Sequence, residues 1–444
     1  GTQIGGGHQT VGIGQPAYLE VLVTESTIVN QVDWSIDGVR DPFNNPIASG
    51  STLMPSPLDL SVPPYDAGDA ADYDVVDRRI LVPDGKATYD ISVELALTNG
   101  TIAATNVVIG SVFIGKDHYL CVLCHANKMD DFNITDHAQA FRNQINGMGS
   151  SHFNPNCISC HTVGYDTTPG AVNDGFDDVA LETGWTFPPT LSTNNWDNMP
   201  PELQNKSNIQ CENCHGAADQ HMRSLGDTAR IGVSISGGNC GQCHDSLTHH
   251  YRNTEWGRSA HGTGSYAHHY IGRSPCQDCH NGAGFIMAHD ADYEEMPVRA
   301  TGNEGISCAT CHDPHHPGDG EHQLRQMQGA PLGNGTVITA GGDGIICMNC
   351  HQSRRDGRSY VEDYTGGTFR GPHHGPQADM LAGENAYEFG LDMPGTRAHL
   401  HGIEDSCVTC HMQEAEDHDD PVHTQAGGHT WKMSWDNGTP EDDS

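Results

Sequence analysis

The sequence predicts a two-part chain: a small β-sandwich-like domain, then a region of short helices with little other regular structure, wrapped around covalently held groups. Three observations lead there. A short motif, Cys-x-x-Cys-His, recurs eight times and uses all 16 cysteines. Every cysteine lies beyond residue 117, and the stretch before them alternates apolar and polar residues as half-buried strands do. Only 35% of the 444 residues are hydrophobic, too few for a large core built from side chains alone.

Residues 1–117 contain no Cys and a single His, His8. Tyr89, Ile91, Val93, Leu95 and Leu97 alternate with Thr88, Asp90, Ser92, Glu94 and Thr98, a period of two. Asn99-Gly100 follows, a strong hairpin signal, and the apolar run Val107–Ile114 returns. Leu19, Val21 and Val23 form another candidate strand, Val32–Ile36 a third, and Pro83-Asp84-Gly85 a turn after Ile80-Leu81-Val82. Short strands punctuated by Pro and Gly predict a sandwich that acts as an assembly module or as a cap.

The motifs are Cys121–Cys124–His125, Cys157–Cys160–His161, Cys211–Cys214–His215, Cys240–Cys243–His244, Cys276–Cys279–His280, Cys308–Cys311–His312, Cys347–Cys350–His351 and Cys407–Cys410–His411; in chain order they are motifs 1 to 8. This is the attachment pattern of c-type haem. Each thiol adds to a vinyl group of the porphyrin, and the histidine is held against the iron as proximal ligand. A Cys-x-x-Cys alone also suits a redox disulfide or half a zinc site. Neither requires a histidine next, and with 29 His in 444 residues eight such coincidences have a chance of about 10⁻¹⁰. The fold class predicted is therefore a multihaem cytochrome c with eight c-type haems, over residues 118–432. An acidic tail, 433–444, closes the chain.

Spacing between motifs varies from 29 residues (Cys211 to Cys240) to 60 (Cys347 to Cys407), which excludes a fixed-period solenoid. Helices are expected at Asp136–Ile145 and Gln377–Ala382. The Gly-, Asp-, Asn- and Trp-rich stretch Val163–Met199 reads as a surface loop. Porphyrin faces would supply the missing apolar area, so this region should depend on bound haem for its fold.

A formal charge of −37 argues against nucleic acid or an anionic membrane as partner. Acidic loops at Asp66–Asp77, Asp174–Asp178 and Glu414–Asp420 are candidates for calcium, although none has the ligand spacing of a known calcium loop. No run approaches the 18 apolar residues of a membrane span. The start at Gly1 predicts an exported product with its signal removed, working at the cell surface or beyond.

Twenty-one histidines remain after the eight proximal ones, enough to close the second face of every iron. Local context selects His137, His152, His221, His261, His315, His373, His399 and His429 as distal ligands. Within the doublets His316, His374 and His401 compete, and His118, His268, His269, His289 and His423 stand in reserve. Two imidazoles close an iron for electron transfer, whereas an open face admits substrate.

Asn208–His221, with Cys-Glu-Asn-Cys-His-Gly and a histidine shortly after, resembles the multihaem cytochromes related to the tetrahaem carriers of ammonia oxidisers and the octahaem hydroxylamine oxidoreductases. Cys157–Gly164 and Cys308–His315 share the likeness. The resemblance implies that His221 ligates a neighbouring haem. No Cys-x-x-Cys-Lys occurs, the motif that nitrite-reductase relatives carry at a catalytic haem. The whole chain also resembles extracellular cytochromes of metal-reducing microbes, some of which polymerise into filaments. That implies a homopolymer joined end to end, with His8 or His118 as ligand donors between copies and redox proteins or metal oxides as electron partners. The expectation is a non-enzymatic electron-transfer protein. The alternatives are an octahaem oxidoreductase acting on nitrogen or sulfur oxyanions, with Arg354, Arg355 and Arg358 as its basic cluster, and a monomeric periplasmic carrier.

Overall fold

The computed structural model describes residues 9–24, 27–57, 60, 73–225, 230–245, 251–263, 276–290, 305–318, 322–363, 375–391, 397–414 and 424–434. Seven strands build the N-terminal part: β1 Thr10–Gly12, β2 Ala17–Thr24, β3 Val29–Arg40, β4 Leu53–Pro55, β5 Tyr73–Leu81, β6 Ala87–Leu97 and β7 Gly100–Ser111. They form a four-stranded sheet in the order β1-β7-β6-β3 and a three-stranded sheet in the order β2-β5-β4. Ala17, Leu19 and Leu81 of one sheet meet Ala87, Tyr89, Ile91 and Val108 of the other in a shared core. The alternation over Tyr89, Ile91, Val93 and Leu95 thus faces inward, while Leu97 is only half-buried. The β6–β7 hairpin closes with Leu97 opposite Gly100, whose φ of 147° is open to glycine and costly for other residues.

Beyond Ser111 the chain enters the motif region through a clamp. Lys206 donates from Nζ to the Phe113 carbonyl at 2.7 Å, and buried Glu212 accepts from the amides of Ile114, Gly115 and Ala218. Gln220 donates to the Gly110 carbonyl at 2.8 Å, and Lys86 pairs with Asp219. A Cβ on Gly216 would meet the Thr10 carbonyl oxygen at 2.2 Å, so the sandwich seats directly on the residue after motif 3. The domain caps motifs 2 and 3: Phe113 packs with Val163 and Ala217, each two residues past a motif histidine.

The motif region is a set of short helices, among them Asp136–Ile145 and Gln377–Ala382 at the expected positions. Thr135 caps the first of these, accepting from the Ala138 amide. The expectation of a surface loop over Val163–Met199 is overturned. Helix Phe176–Thr183 forms there, and Phe176, Trp185, Trp196 and Met199 fold back onto Phe141, Ile145, Phe153 and Ile158. Its polar composition hid widely spaced aromatics whose burial outweighs the cost of ordering the segment. Among the described residues no helix is long and apolar enough to cross a membrane. His8, His268, His269, His373, His374 and His423 lie outside the described residues, as do most of the first and third acidic loops.

Candidate haem-binding sites

Each motif sits on a single helical turn, for example Cys211–His215, Gly237–His244, Cys308–Cys311 and Cys407–His411. On such a turn residues i and i+3 share a face, so both sulfurs point one way and the following histidine lies beside them. The variable positions hold the turn in shape. Asn213 completes a capping box with Gln210, and Thr310 completes one with Ser307. None of the 16 cysteines is paired in a disulfide, as thioether attachment requires.

Three motif histidines have their Nδ1 fixed by a backbone carbonyl. His215 Nδ1 lies 2.6 Å from Gly232 O, His312 Nδ1 2.8 Å from His322 O, and His411 Nδ1 3.0 Å from Trp431 O. A proton on Nδ1 makes that bond and leaves the Nε2 lone pair free for a metal.

Four motif histidines face a second imidazole across a gap of nearly constant width. Ring centres are 6.1 Å apart for His137 and His244, 5.9 Å for His215 and His315, 6.0 Å for His261 and His351, and 6.1 Å for His312 and His429. A metal–imidazole bond of about 2 Å plus a ring radius of about 1.1 Å, doubled, gives about 6.2 Å. Direct stacking would bring the rings closer. The width fits one metal ion between each pair. Burial pulls the imidazolium pKa of His137, His215 and His351 down, and takes His261 and His315 to about 4, with His351 and His215 respectively adding repulsion. Neutral imidazole is the metal-binding form.

His429 is steered by Glu255, a fully buried carboxylate that accepts from the His429 amide at 3.0 Å, with His429 Nδ1 3.7 Å away. Burial raises the Glu255 pKa, but His429 and Arg252 outweigh it and hold the carboxyl below its usual range. Nothing in the sequence marked Glu255. Its signal was only a carboxylate beside Trp256 in a short helix.

The other selected histidines divide. His221 is half-buried and, with His125, lies near enough to depress His215 further. His152 and His399 are exposed, and neither faces a motif histidine among the described ring contacts. His289, a reserve, packs on Phe285 at 4.6 Å and lines a cavity of about 1070 Å³. That cavity is walled by Cys276, Cys279, Cys311, Cys347, Cys350 and Cys407, and Arg354 and Arg355 reach it. Arg358 instead pairs with Glu362 in solvent. No group of three or more acidic, His or Cys side chains suited to a simple metal ion occurs among the described residues, so the Asp174–Asp178 loop gathers no calcium site there.

The motifs also touch one another. Asn239, beside Cys240, donates to the Cys214 carbonyl at 3.1 Å, and Cys243 Sγ lies 3.7 Å from the Cys160 carbonyl oxygen. Cys279 Sγ lies 3.7 Å from the carbonyl oxygen of Asn349, beside Cys350, and Ser406, beside Cys407, donates to Gly341.

Residues 120–181, which contain the first two motifs, match the family described as cytochrome c554 and c-prime. That match supports a c-type cytochrome. No curated protein and no solved structure matches the chain. The family match supports an electron-transfer haem protein generally, and the facing imidazoles, cysteine pairs and Nδ1-anchored histidines suit that group.

Proposed function

We propose that this cytochrome is an octahaem electron-transfer protein that works outside the cytoplasmic membrane. Each of its irons is held between two imidazoles, and copies join end to end. The observation that carries the reading is the set of four histidine pairs at 5.9–6.1 Å, each joining a motif histidine to a remote one. The remaining four motifs have the same sequence and the same helical turn, so they take the same group.

Bound haem supplies a one-electron Fe(III)/Fe(II) couple. The chain does the rest. Paired cysteines would hold the porphyrin, and paired imidazoles would close the iron to substrate. The carbonyls of Gly232, His322 and Trp431 raise the donor strength of His215, His312 and His411. Arg354 and Arg355, which line the cavity, would pair with haem propionates there.

End-to-end joining is supported by the apolar side chains Tyr119, Val122 and Leu123, which are exposed beside motif 1. Apolar surface of this kind marks an interaction site. Intact mass under denaturing conditions should show eight haems, electron spin resonance only low-spin ferric iron, and sedimentation a polymer. A high-spin ferric signal in the resting protein would contradict the closed irons, and a monomer would contradict the assembly.

A further inference from the structure

The contacts between motifs repeat in a pattern. First cysteines meet first cysteines: Cys121 lies near Cys211, Cys240 against Cys308, and Cys347 against Cys407. The second cysteine of one such pair then leads to the next. Cys214 lies near Cys240, where Asn239 bonds the Cys214 carbonyl, and Cys311 lies near both Cys347 and Cys350 across the cavity they line. Followed in this way, the motifs run 1, 3, 4, 6, 7, 8. Motifs 2 and 5 are left out, and each joins at a corresponding place. Cys160 meets Cys243 of motif 4, and Cys279 meets Cys350 of motif 7, second cysteine to second cysteine in both cases.

The ligand pairs repeat the same rule. His244 of motif 4 faces His137, which precedes motif 2, and His351 of motif 7 faces His261, which precedes motif 5. His215 of motif 3 faces a histidine just after motif 6, and His312 of motif 6 faces one after motif 8. In these pairs motifs 4 and 7 thus play one part and motifs 3 and 6 a second.

We infer that the chain arranges its redox sites as a line of six, held by motifs 1, 3, 4, 6, 7 and 8, with two lateral sites at motifs 2 and 5 through which electrons enter or leave sideways. The inference rests on the octahaem reading above. In each lateral transfer the line site goes from Fe(II) to Fe(III) and the lateral site from Fe(III) to Fe(II). The lateral site then reduces a one-electron acceptor by the same exchange, and no bond is made or broken. A site joined at one point cannot carry current along the line, but it offers discharge along the length of an assembly as well as at its ends.

Two measurements on the haem-loaded protein test this. In a density map, the iron nearest that of His161 should be the iron of His244, and the iron nearest that of His280 should be the iron of His351, with no second iron comparably close to either. A second equally close iron overturns the arrangement. The double variant His161→Met, His280→Met replaces imidazole by a thioether, which raises both lateral potentials. The equilibrium for passing an electron from a lateral site to a soluble one-electron dye should shift at least about tenfold against the dye, the factor that a rise of ~59 mV gives for one electron, and discharge of the reduced protein should slow. Unchanged discharge in a variant that still carries its haems overturns the lateral role. A wild-type mass with fewer than eight haems would instead sink the octahaem reading, so the two failures are distinguishable. Should the variant lose haem, the map still decides.

Discussion

The two halves of this cytochrome solve the problem of burial differently. The N-terminal sandwich closes its own core, with Leu81, Tyr89 and Ile91 fully buried between two sheets. The motif region has separate clusters instead, an aromatic one around Phe141 and Phe176, one around Leu332 and Met348 and a small one of Ile235, Ala283 and Ile286, beside an open cavity of about 1070 Å³ lined by cysteines. A side-chain core exists without help. A region whose interior is lined with attachment points takes its interior from the attached group.

Removing haem should break the comparison most visibly. A full-length chain made without haem attachment should keep the sheet signal in circular dichroism and lose the helical one, because binding to the folded state alone is folding energy. Retention of both signals would mean that the helices stand unaided. Phe141→Ala is next, at about 4 kcal/mol from the cavity left by a fully buried ring. Phe141 shares the helix of His137 and packs on Phe153, Phe176 and Trp196, so the axial-ligand spectrum should shift as stability falls. Ile91→Ala in the sandwich should cost about 3 kcal/mol by denaturant titration and leave that spectrum unchanged.

The seam between the halves depends on Glu212, whose burial raises its pKa while three backbone amides pull it back. Glu212→Ala strands those donors and should cost on the order of 3 kcal/mol, read as earlier separation of the sheet and haem transitions. The smallest effect is on acid stability. Burial raises the Asp84 carboxyl, but hydrogen bonds from Tyr89, Ser49, Gly50 and Ser51 outweigh it and bring the pKa to about 2. A carboxyl depressed in the folded state stabilises above its unfolded pKa, and that contribution is lost as pH falls from about 4 towards 2. Asp84→Asn should flatten the sandwich's acid transition in that window and leave haem absorbance alone.

Much of this was legible in the chain. Period-two alternation located β6, and the helix expected at Asp136–Ile145 forms there, capped by Thr135. Attachment chemistry was legible because it is local: five residues suffice to state it. Ligand pairing was not, because it is closed by the fold. His315 stands three residues past His312 yet faces His215, and His137 serves a motif more than a hundred residues away. Context near His152 and His399 looked equally favourable, but both side chains point to solvent. The aromatic core over 163–199 was missed because Gly, Asp and Asn dominate its composition while Phe176, Trp185 and Trp196 dominate its buried area.

The central claim is that facing histidines mark closed irons. A density map of the haem-loaded protein tests it most directly. The account predicts one iron midway between His137 and His244, His215 and His315, His261 and His351, and His312 and His429. An iron with an open face at any of these four places, or a pair divided between two irons, would contradict it.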